Sequence, residues 1–268
     1  MIRFVVLFLL VYVQQPVWSQ DYSKLQGLGE VRQHTIFSNQ LERSFYVYVR
    51  LPEGYHDNSD KYPVVYTLDG GVTFPLLASY YRYLSLGEEV PDMIIVGISY
   101  GTDDWQKGNM RGTDFTAPSS EREYWGGASD FLEVLTQEIG KSIDEHYRIK
   151  EDRRIIFGQS LGGQFVLYAA NHSDYFWGYI SSNPALHRNL ESFLPSAVKT
   201  NQTGNRLFVS SAENDNPVFK KPATTWIEAW KEVSAKPWQL ETTVLSGESH
   251  FSAAPRAFRQ GLIFLFNS

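Results

Sequence analysis

A serine flanked by glycines lies where a predicted buried strand passes into a predicted helix. The segment runs Ile155-Ile-Phe-Gly158-Gln-Ser160-Leu-Gly162-Gly163. Small residues two positions before and after the serine permit a sharp turn that keeps the hydroxyl exposed, and the helix N-terminus favours developing negative charge. A Gly-rich turn without chemistry would use similar residues. The strand and the helix on either side favour a nucleophile elbow, with Ser160 as the nucleophile.

A serine hydroxyl needs a general base, and His250 is the histidine placed best to supply one. It follows the predicted strand Leu240 to Leu245 and precedes the last predicted helix, the position of the catalytic histidine in α/β-hydrolases. His187 comes shortly after a strand end and is a candidate on the substrate side, with an ordinary surface position as the alternative. The remaining histidines are assigned surface or packing roles: His34, His56, His146 and His172.

The acid that orients the imidazole should follow the strand between the nucleophile and the base. The segment Leu207-Phe-Val-Ser-Ser-Ala-Glu213-Asn-Asp215 fits this place. Glu213 comes first after the strand and is the predicted acid, which gives the chain order Ser160, Glu213, His250. Asp215 is the rival, because strand ends are uncertain by a few residues. Either carboxylate would otherwise be a solvated loop residue.

Two backbone N–H groups should stabilise the oxyanion of a tetrahedral intermediate. One normally belongs to the residue after the nucleophile, here Leu161. The other comes from the loop after an early strand, and the segment Leu68-Asp-Gly70-Gly71-Val72 is such a loop. Gly71 is the predicted second donor, with Gly70 and Val72 as its neighbours in register.

Strands and helices alternate along the chain, which predicts a mostly parallel, doubly wound α/β sheet of the α/β-hydrolase fold. An antiparallel hairpin, His34 to Phe37 with Ser44 to Leu51, opens the sheet. No linker or repeat divides residues 20–268, so a single domain is expected. The stretch 104–127 has no sustained periodicity and is a candidate substrate loop. Further strands are predicted at Tyr62 to Leu68, Met93 to Tyr100, Arg153 to Phe157, Tyr175 to Ile180 and Leu207 to Ser211, and helices after Ser129, after Ser160, near Leu190 to Val198, around Trp226 and at Ala253 to Phe266.

The composition excludes several kinds of chemistry and partner. The 268 residues include no cysteine, so disulfides, zinc-thiolate sites and cysteine nucleophiles are excluded. The net charge of −6 provides no basic field for nucleic acid. Hydroxyl, imidazole and carboxylate groups must therefore carry out the chemistry.

The first 19 residues have the pattern of a secretory signal peptide. Arg3 precedes an apolar run from Phe4 to Val13, and Val17-Trp-Ser19 is a small-residue cleavage site. An uncleaved anchor is the alternative, but the run is shorter than the roughly 20 residues of a spanning helix. We expect cleavage after Ser19, a secreted or periplasmic protein, and no stable membrane insertion.

The chain resembles the esterase family that includes esterase D, antigen 85 mycolyltransferases, feruloyl esterases and enterochelin-type siderophore esterases. The matching segments, which extend over nearly all of the mature chain, are Leu51-Pro-Glu-Gly-Tyr55, Tyr62-Pro-Val-Val-Tyr-Thr-Leu-Asp-Gly70, Gly158-Gln-Ser-Leu-Gly-Gly163, Gly247-Glu-Ser-His250 and Arg111-Gly-Thr-Asp-Phe-Thr-Ala-Pro118. The resemblance implies an α/β-hydrolase fold, a Ser-acid-His triad and no cofactor. The chain departs from many relatives at Gln159, where they have His, and at Asn183, where they have Ser.

Arg111 and Asp114 lie in the loop that resembles this family. Arg111 is a candidate ligand for a substrate carboxylate or phenolate, with Asp114 beside it in the substrate site. A structural ion pair between Arg111 and Asp114 is the alternative.

These features favour a carboxylic ester hydrolase that acts through an acyl-enzyme. Its substrate would be a small-molecule or glycan-linked ester, such as a siderophore ester or an acylated polysaccharide. Two alternatives stay open: an acyltransferase on the same triad, and a binding protein that has the fold but no activity.

Overall fold

The computed structural model describes residues 25–197 and 204–267. Its strands are β1 Val31–Ser38, β2 Arg43–Arg50, β3 Tyr62–Thr67, β4 Ile94–Ser99, β5 Ile149–Gln159, β6 Gly178–Ser182, β7 Asn205–Ala212 and β8 Trp238–Leu245. Its α-helices are α1 Gly70–Leu86, α2 Arg111–Asp114, α3 Ala128–Val134, α4 Gly140–His146, α5 Leu161–His172, α6 Pro217–Lys231 and α7 Ala253–Phe266. A π-helical turn, Leu135–Ile139, joins α3 to α4.

The eight strands form one sheet in the order β1-β2-β4-β3-β5-β6-β7-β8. The hairpin of β1 and β2 is antiparallel, and β2 runs antiparallel to β4. All pairs from β4 through β3 to β8 are parallel. This confirms the predicted α/β class and the mostly parallel sheet opened by an antiparallel hairpin.

Side chains that alternate along the central strands fill two cores, one on each face of the sheet. In β3, Val64 and Tyr66 belong to one core, and Val65 between them belongs to the other. Phe165 of α5 packs in the first core and Phe258 of α7 in the second. Because both faces are covered, the inner strands are apolar at almost every position.

Helix α1 is a departure from the prediction, which has no helix between β3 and β4. Two glycines at its start and Pro75 inside it are weak helix formers and conceal the pattern. The buried residues Phe74, Leu77, Tyr81 and Leu84 nevertheless follow helical spacing. Gly70 is required by close packing, because a β-carbon there would lie 2.5 Å from the backbone of Gly97.

Two further elements differ from the prediction. Strand β6 begins at Gly178 and ends at Ser182, later than the predicted Tyr175 to Ile180. The predicted helix near Leu190 to Val198 is a short 3-10 turn, Leu190–Phe193, and Val198 lies outside the described residues.

The stretch 104–127 consists of loop apart from a 3-10 turn at Trp105–Lys107 and the single turn α2. It therefore remains a long connection, as expected. The predicted signal peptide and its cleavage site at Ser19 lie outside the described residues. Among helices in the described part, none has the length and apolar character to cross a membrane.

Candidate active site

Ser160 lies at a strained turn between β5 and α5. Its φ of 61° and ψ of −116° fall outside the regions that a side chain ordinarily favours. A β-carbon on Gly158 would lie 2.2 Å from the carbonyl oxygen of Gly162, so the turn needs glycine there. Gly162 has ordinary space, whereas a β-carbon on Gly163 would lie 2.8 Å from the carbonyl oxygen of Ser182. The turn therefore needs glycine at Gly158, as predicted, whereas the close packing of α5 against the end of β6 needs glycine at Gly163 and not at Gly162.

The structure brings Ser160 and His250 together. Ser160 Oγ lies 2.9 Å from His250 Nε2, and His250 Nδ1 lies 2.8 Å from Asp215 Oδ2. The side chains of His250 and Asp215 are 10% and 2% exposed. Because a carboxylate only accepts, Nδ1 carries the proton, and Nε2 is left to accept from the serine hydroxyl. The arrangement is that of a nucleophile, a base and an orienting acid.

The prediction of Glu213 as the acid is corrected by this geometry. Glu213 directly follows β7, is exposed, and accepts hydrogen bonds at 2.8 Å from Ser246 Oγ and Gly247 N. The Gly247 N–H is the main reason that the pKa of Glu213 lies below its usual range. A turn closed by the 3.3 Å bond from Asp215 N to Ala212 O carries the chain back, so Asp215, the rival, reaches His250. Glu213 instead stabilises the loop that precedes His250, through its hydrogen bonds with Ser246 and Gly247.

The backbone of His250 is also held. Its carbonyl oxygen accepts hydrogen bonds from Gln159 Nε2 and, at 3.4 Å, from Asn183 Nδ2. Gln159 ends β5, next to Ser160, and Asn183 follows β6 with a φ of 44°. The sequence analysis predicted no role for Gln159 or Asn183. A contact across 91 residues of chain leaves no local signal in the sequence.

Aromatic rings surround the imidazole. Phe219 of α6 stacks on His250 with ring centroids 4.6 Å apart and an interplanar angle of 28°. His187 forms T-shaped contacts with Phe219 and Trp125, with ring centroids 5.1 and 5.9 Å apart. Burial lowers the pKa of His187. His187 is therefore a half-buried member of this wall, one ring removed from His250.

The predicted oxyanion donors begin two neighbouring helices. Gly71 is the second residue of α1, which follows β3, and Leu161 is the first residue of α5, which follows β5. Strands β3 and β5 are adjacent and parallel, so both helices start at the same edge of the sheet. N–H groups in the first turn of a helix have no partner within it and are available to an anion.

Arg111 and Asp114 do not pair with each other. Arg111 donates from Nε and Nη2 to the two carboxylate oxygens of Asp69, at 2.7 and 2.9 Å. Asp114 is 2% exposed and accepts from Arg43 Nη2 at 2.5 Å and from the Tyr100 hydroxyl at 2.8 Å. Asp114 is therefore a buried structural anion, which corrects its prediction as a substrate ligand.

Two cavities adjoin this region. The larger has a volume of about 750 Å³, and its lining includes Trp105, Tyr124, Arg111 and Leu161. The smaller, of about 300 Å³, has a lining that includes Asp69 and Gly71, with Asp103 and Asn109 common to both cavities. Each cavity thus reaches one predicted oxyanion donor and one partner of the ion pair between Asp69 and Arg111. Within residues 25–197 and 204–267, no group of three His, Asp or Glu side chains could hold a metal ion.

The sheet and the elbow define an α/β-hydrolase, and comparison with known proteins identifies the family. Residues 38–262 match the esterase family described as "Putative esterase", and the chain belongs to this family of carboxylic ester hydrolases. The ferri-bacillibactin esterase BesA of Bacillus subtilis is 28% identical over 257 residues, 85% of this chain and 86% of that protein.

Two other proteins are similar to this chain, one in sequence and one in fold. The apo-salmochelin esterase of Escherichia coli is 30% identical over 143 residues, which cover 50% of this chain and 44% of that enzyme. An IroE-like serine hydrolase from Shewanella oneidensis has a similar fold, with a TM-score of 0.78 at 24% identity, covering 88% of this chain and 80% of its own.

Proposed function

We propose that the protein is a secreted serine esterase that hydrolyses siderophore esters through Ser160, His250 and Asp215. The observation that carries the proposal is the chain of hydrogen bonds from Ser160 Oγ through His250 to Asp215, at 2.9 and 2.8 Å. The N-terminal sequence pattern supports export. Similarity to two relatives, a ferri-bacillibactin esterase and an apo-salmochelin esterase, supports the substrate class.

The geometry suits acyl transfer to the serine. His250 Nε2 accepts the hydroxyl proton as Ser160 Oγ bonds to the ester carbonyl carbon. The oxyanion that forms accepts hydrogen bonds from the N–H groups of Leu161 and Gly71. The alcohol leaves with the proton from His250, and Ser160 is left as an acyl ester. A water molecule then attacks the acyl carbon as His250 Nε2 accepts a proton from it. The carboxylic acid leaves, and Ser160 Oγ recovers its proton from His250.

The larger cavity supports a substrate with an apolar or aromatic part. Its apolar lining includes Trp105, Met110, Tyr124 and Leu161, the residue that follows the nucleophile in the chain. A volume of about 750 Å³ falls within the range of roughly 300–1,000 Å³ that small-molecule sites occupy.

The test is hydrolysis of p-nitrophenyl acetate and of a ferri-siderophore ester by the parent protein and by Ser160→Ala and His250→Ala variants. We expect each substitution to lower kcat by at least about 1,000-fold without unfolding the protein. His172→Ala is the matched control, since His172 is an exposed residue at the end of α5. Peptide mapping after fluorophosphonate treatment should find the adduct on Ser160.

Two results would decide against parts of the proposal. A parent protein that neither hydrolyses esters nor reacts with the fluorophosphonate would contradict the esterase function. Hydrolysis of p-nitrophenyl acetate without hydrolysis of any siderophore ester would contradict the substrate class alone.

A further inference from the structure

Asp69 lies where a negative charge opposes the proposed reaction. It precedes α1 with a φ of 54°, and its side chain makes no capping hydrogen bond to the helix. Its Oδ2 atom faces Gly162, where an added β-carbon would be only 3.6 Å away. Gly162 directly follows Leu161, a proposed oxyanion donor. A bare carboxylate at this place would repel the oxyanion and weaken the transition state.

Arg111 neutralises this carboxylate. Its Nε and Nη2 atoms form a two-pronged contact with both oxygens, at 2.7 and 2.9 Å, the geometry in which a guanidinium binds a carboxylate most strongly. The side chains of Arg111 and Asp69 are 32% and 18% exposed. Water therefore screens the two charges only in part. Burial on its own lowers the pKa of Arg111, and the charge of Asp69 more than reverses this, so that the pKa lies above its usual value.

We infer that Arg111 is the counter-ion of Asp69 beside the oxyanion site, and that its main effect on the reaction comes through Asp69 rather than through an anionic group of the substrate. The inference rests on the proposed esterase function. Nε and Nη2 of Arg111 already bond both oxygens of Asp69, which leaves Nη1 as the one nitrogen of the group without a bond to Asp69. The same contact ties the loop of residues 104–127 to the end of β3, and so to the segment that carries Gly71.

A double-mutant cycle that neutralises Arg111 and Asp69 tests this inference, with the neutral ester p-nitrophenyl acetate as substrate. Arg111→Gln leaves Asp69 unpaired, and we expect kcat to fall roughly 10- to 100-fold while KM changes less than about threefold, since removing one oxyanion donor costs about 100- to 1,000-fold. Asp69→Asn combined with Arg111→Gln removes both charges, and we expect kcat to recover to within about fivefold of the parent. Asn is suitable at this position because it tolerates a positive φ.

Recovery in the double variant distinguishes the inference from its alternatives. If Arg111 acts by binding an anionic group of the substrate, Arg111→Gln will leave kcat on this neutral ester nearly unchanged. If Arg111 only fixes the loop, the double variant will be as slow as Arg111→Gln. Either result would show that the inference is wrong. Asp69→Asn alone should keep a kcat at least equal to about one third of the parent value, because the remaining cation favours an oxyanion. A fall as large as that of Arg111→Gln would also overturn the inference.

Thermal unfolding separates these effects from misfolding. Arg154→Gln is the matched control, since Arg154 also forms an ion pair with an aspartate, Asp144, at 2.6 Å. Arg154 lies six residues before Ser160 in the chain, which is about 20 Å along a strand. We expect it to lower the unfolding temperature and leave kcat within about twofold of the parent. Should Arg111→Gln fail to fold, the Asp69→Asn result decides. Failure of the proposed function itself would be visible earlier, as a parent protein without esterase activity.

Discussion

The two sides of the Ser160 hydroxyl are built in different ways. On the side of the base, Asp215 and His250 are buried, and Phe219 stacks on the imidazole. On the side of Leu161, the loop of residues 104–127 borders a cavity of about 750 Å³ and exposes 75% of Trp105. The difference indicates that the base side fixes the geometry of the reaction, whereas the loop side accommodates the substrate. Substitutions on the first side should therefore change kcat, and those on the second should change KM, with the exception of Arg111, whose proposed effect on kcat comes through Asp69.

The largest effect is expected from Asp215→Asn. The uncharged amide cannot stabilise the imidazolium and favours the wrong tautomer of His250, so kcat should fall by about 1,000- to 10,000-fold. Glu213→Gln, two residues away, is the matched control and should keep kcat within about threefold, because the side chain of Glu213 bonds the loop at Ser246 and Gly247 and not His250. Steady-state kinetics on p-nitrophenyl acetate measures both. The reverse order of effects would restore Glu213 as the acid.

A smaller effect is expected on the other side of the site, from Trp105→Ala. Loss of an exposed ring at the cavity should raise KM for a siderophore ester about tenfold, as expected if about 1.4 kcal/mol of binding is lost, with kcat nearly unchanged. Tyr83→Ala provides the control, since Tyr83 is 72% exposed on α1 and does not line this cavity. If Trp105→Ala lowers kcat and leaves KM unchanged, the two sides are not separated as the comparison requires.

The smallest expected effect concerns His187 and pH. Because burial lowers the pKa of His187 in the folded state, its neutral form contributes stability that is complete above the unfolded pKa of about 6.5. This contribution is lost as the pH falls through the lower folded pKa. Between pH 7.5 and 5, the unfolding temperature of the parent should therefore fall about 2 °C further than that of His187→Phe, which keeps an aromatic ring between Trp125 and Phe219. Equal pH dependence in the two proteins would show that the pKa of His187 is the same in the folded and unfolded states, which would contradict this prediction.

Local patterns in the sequence were sufficient to predict most of the sheet and the elements next to Ser160 and His250. The apolar runs of the inner strands and the start of α7 at Ala253 agree with the structure, because burial of whole strands and of one helix face leaves a periodic signal. Helix α1 was missed, since glycine and proline at its start and interior conceal that signal. The choice of Glu213 over Asp215 was wrong, because a turn between Ala212 and Asp215 decides which carboxylate faces inward.

The remaining departures come from contacts between distant parts of the chain. Arg111 pairs with Asp69 across 42 residues, and Asp114 with Arg43 across 71. Spacing in the sequence suggested a pair between Arg111 and Asp114, three positions apart, but the fold offers each a partner from another element. A charged residue in a loop can be recognised in the sequence, whereas its partner depends on the tertiary structure.

The carbonyl oxygen of His250 is bonded by Gln159 and Asn183, at the ends of two central strands. The backbone of His250 is therefore held by the end of β5, the strand that leads directly to Ser160. Rearrangement of the loop around Trp105 to admit substrates of different shape would leave the distance from Ser160 Oγ to His250 Nε2 unchanged. Substrate range can then diverge among descendants of this chain without renewed alignment of the reacting atoms.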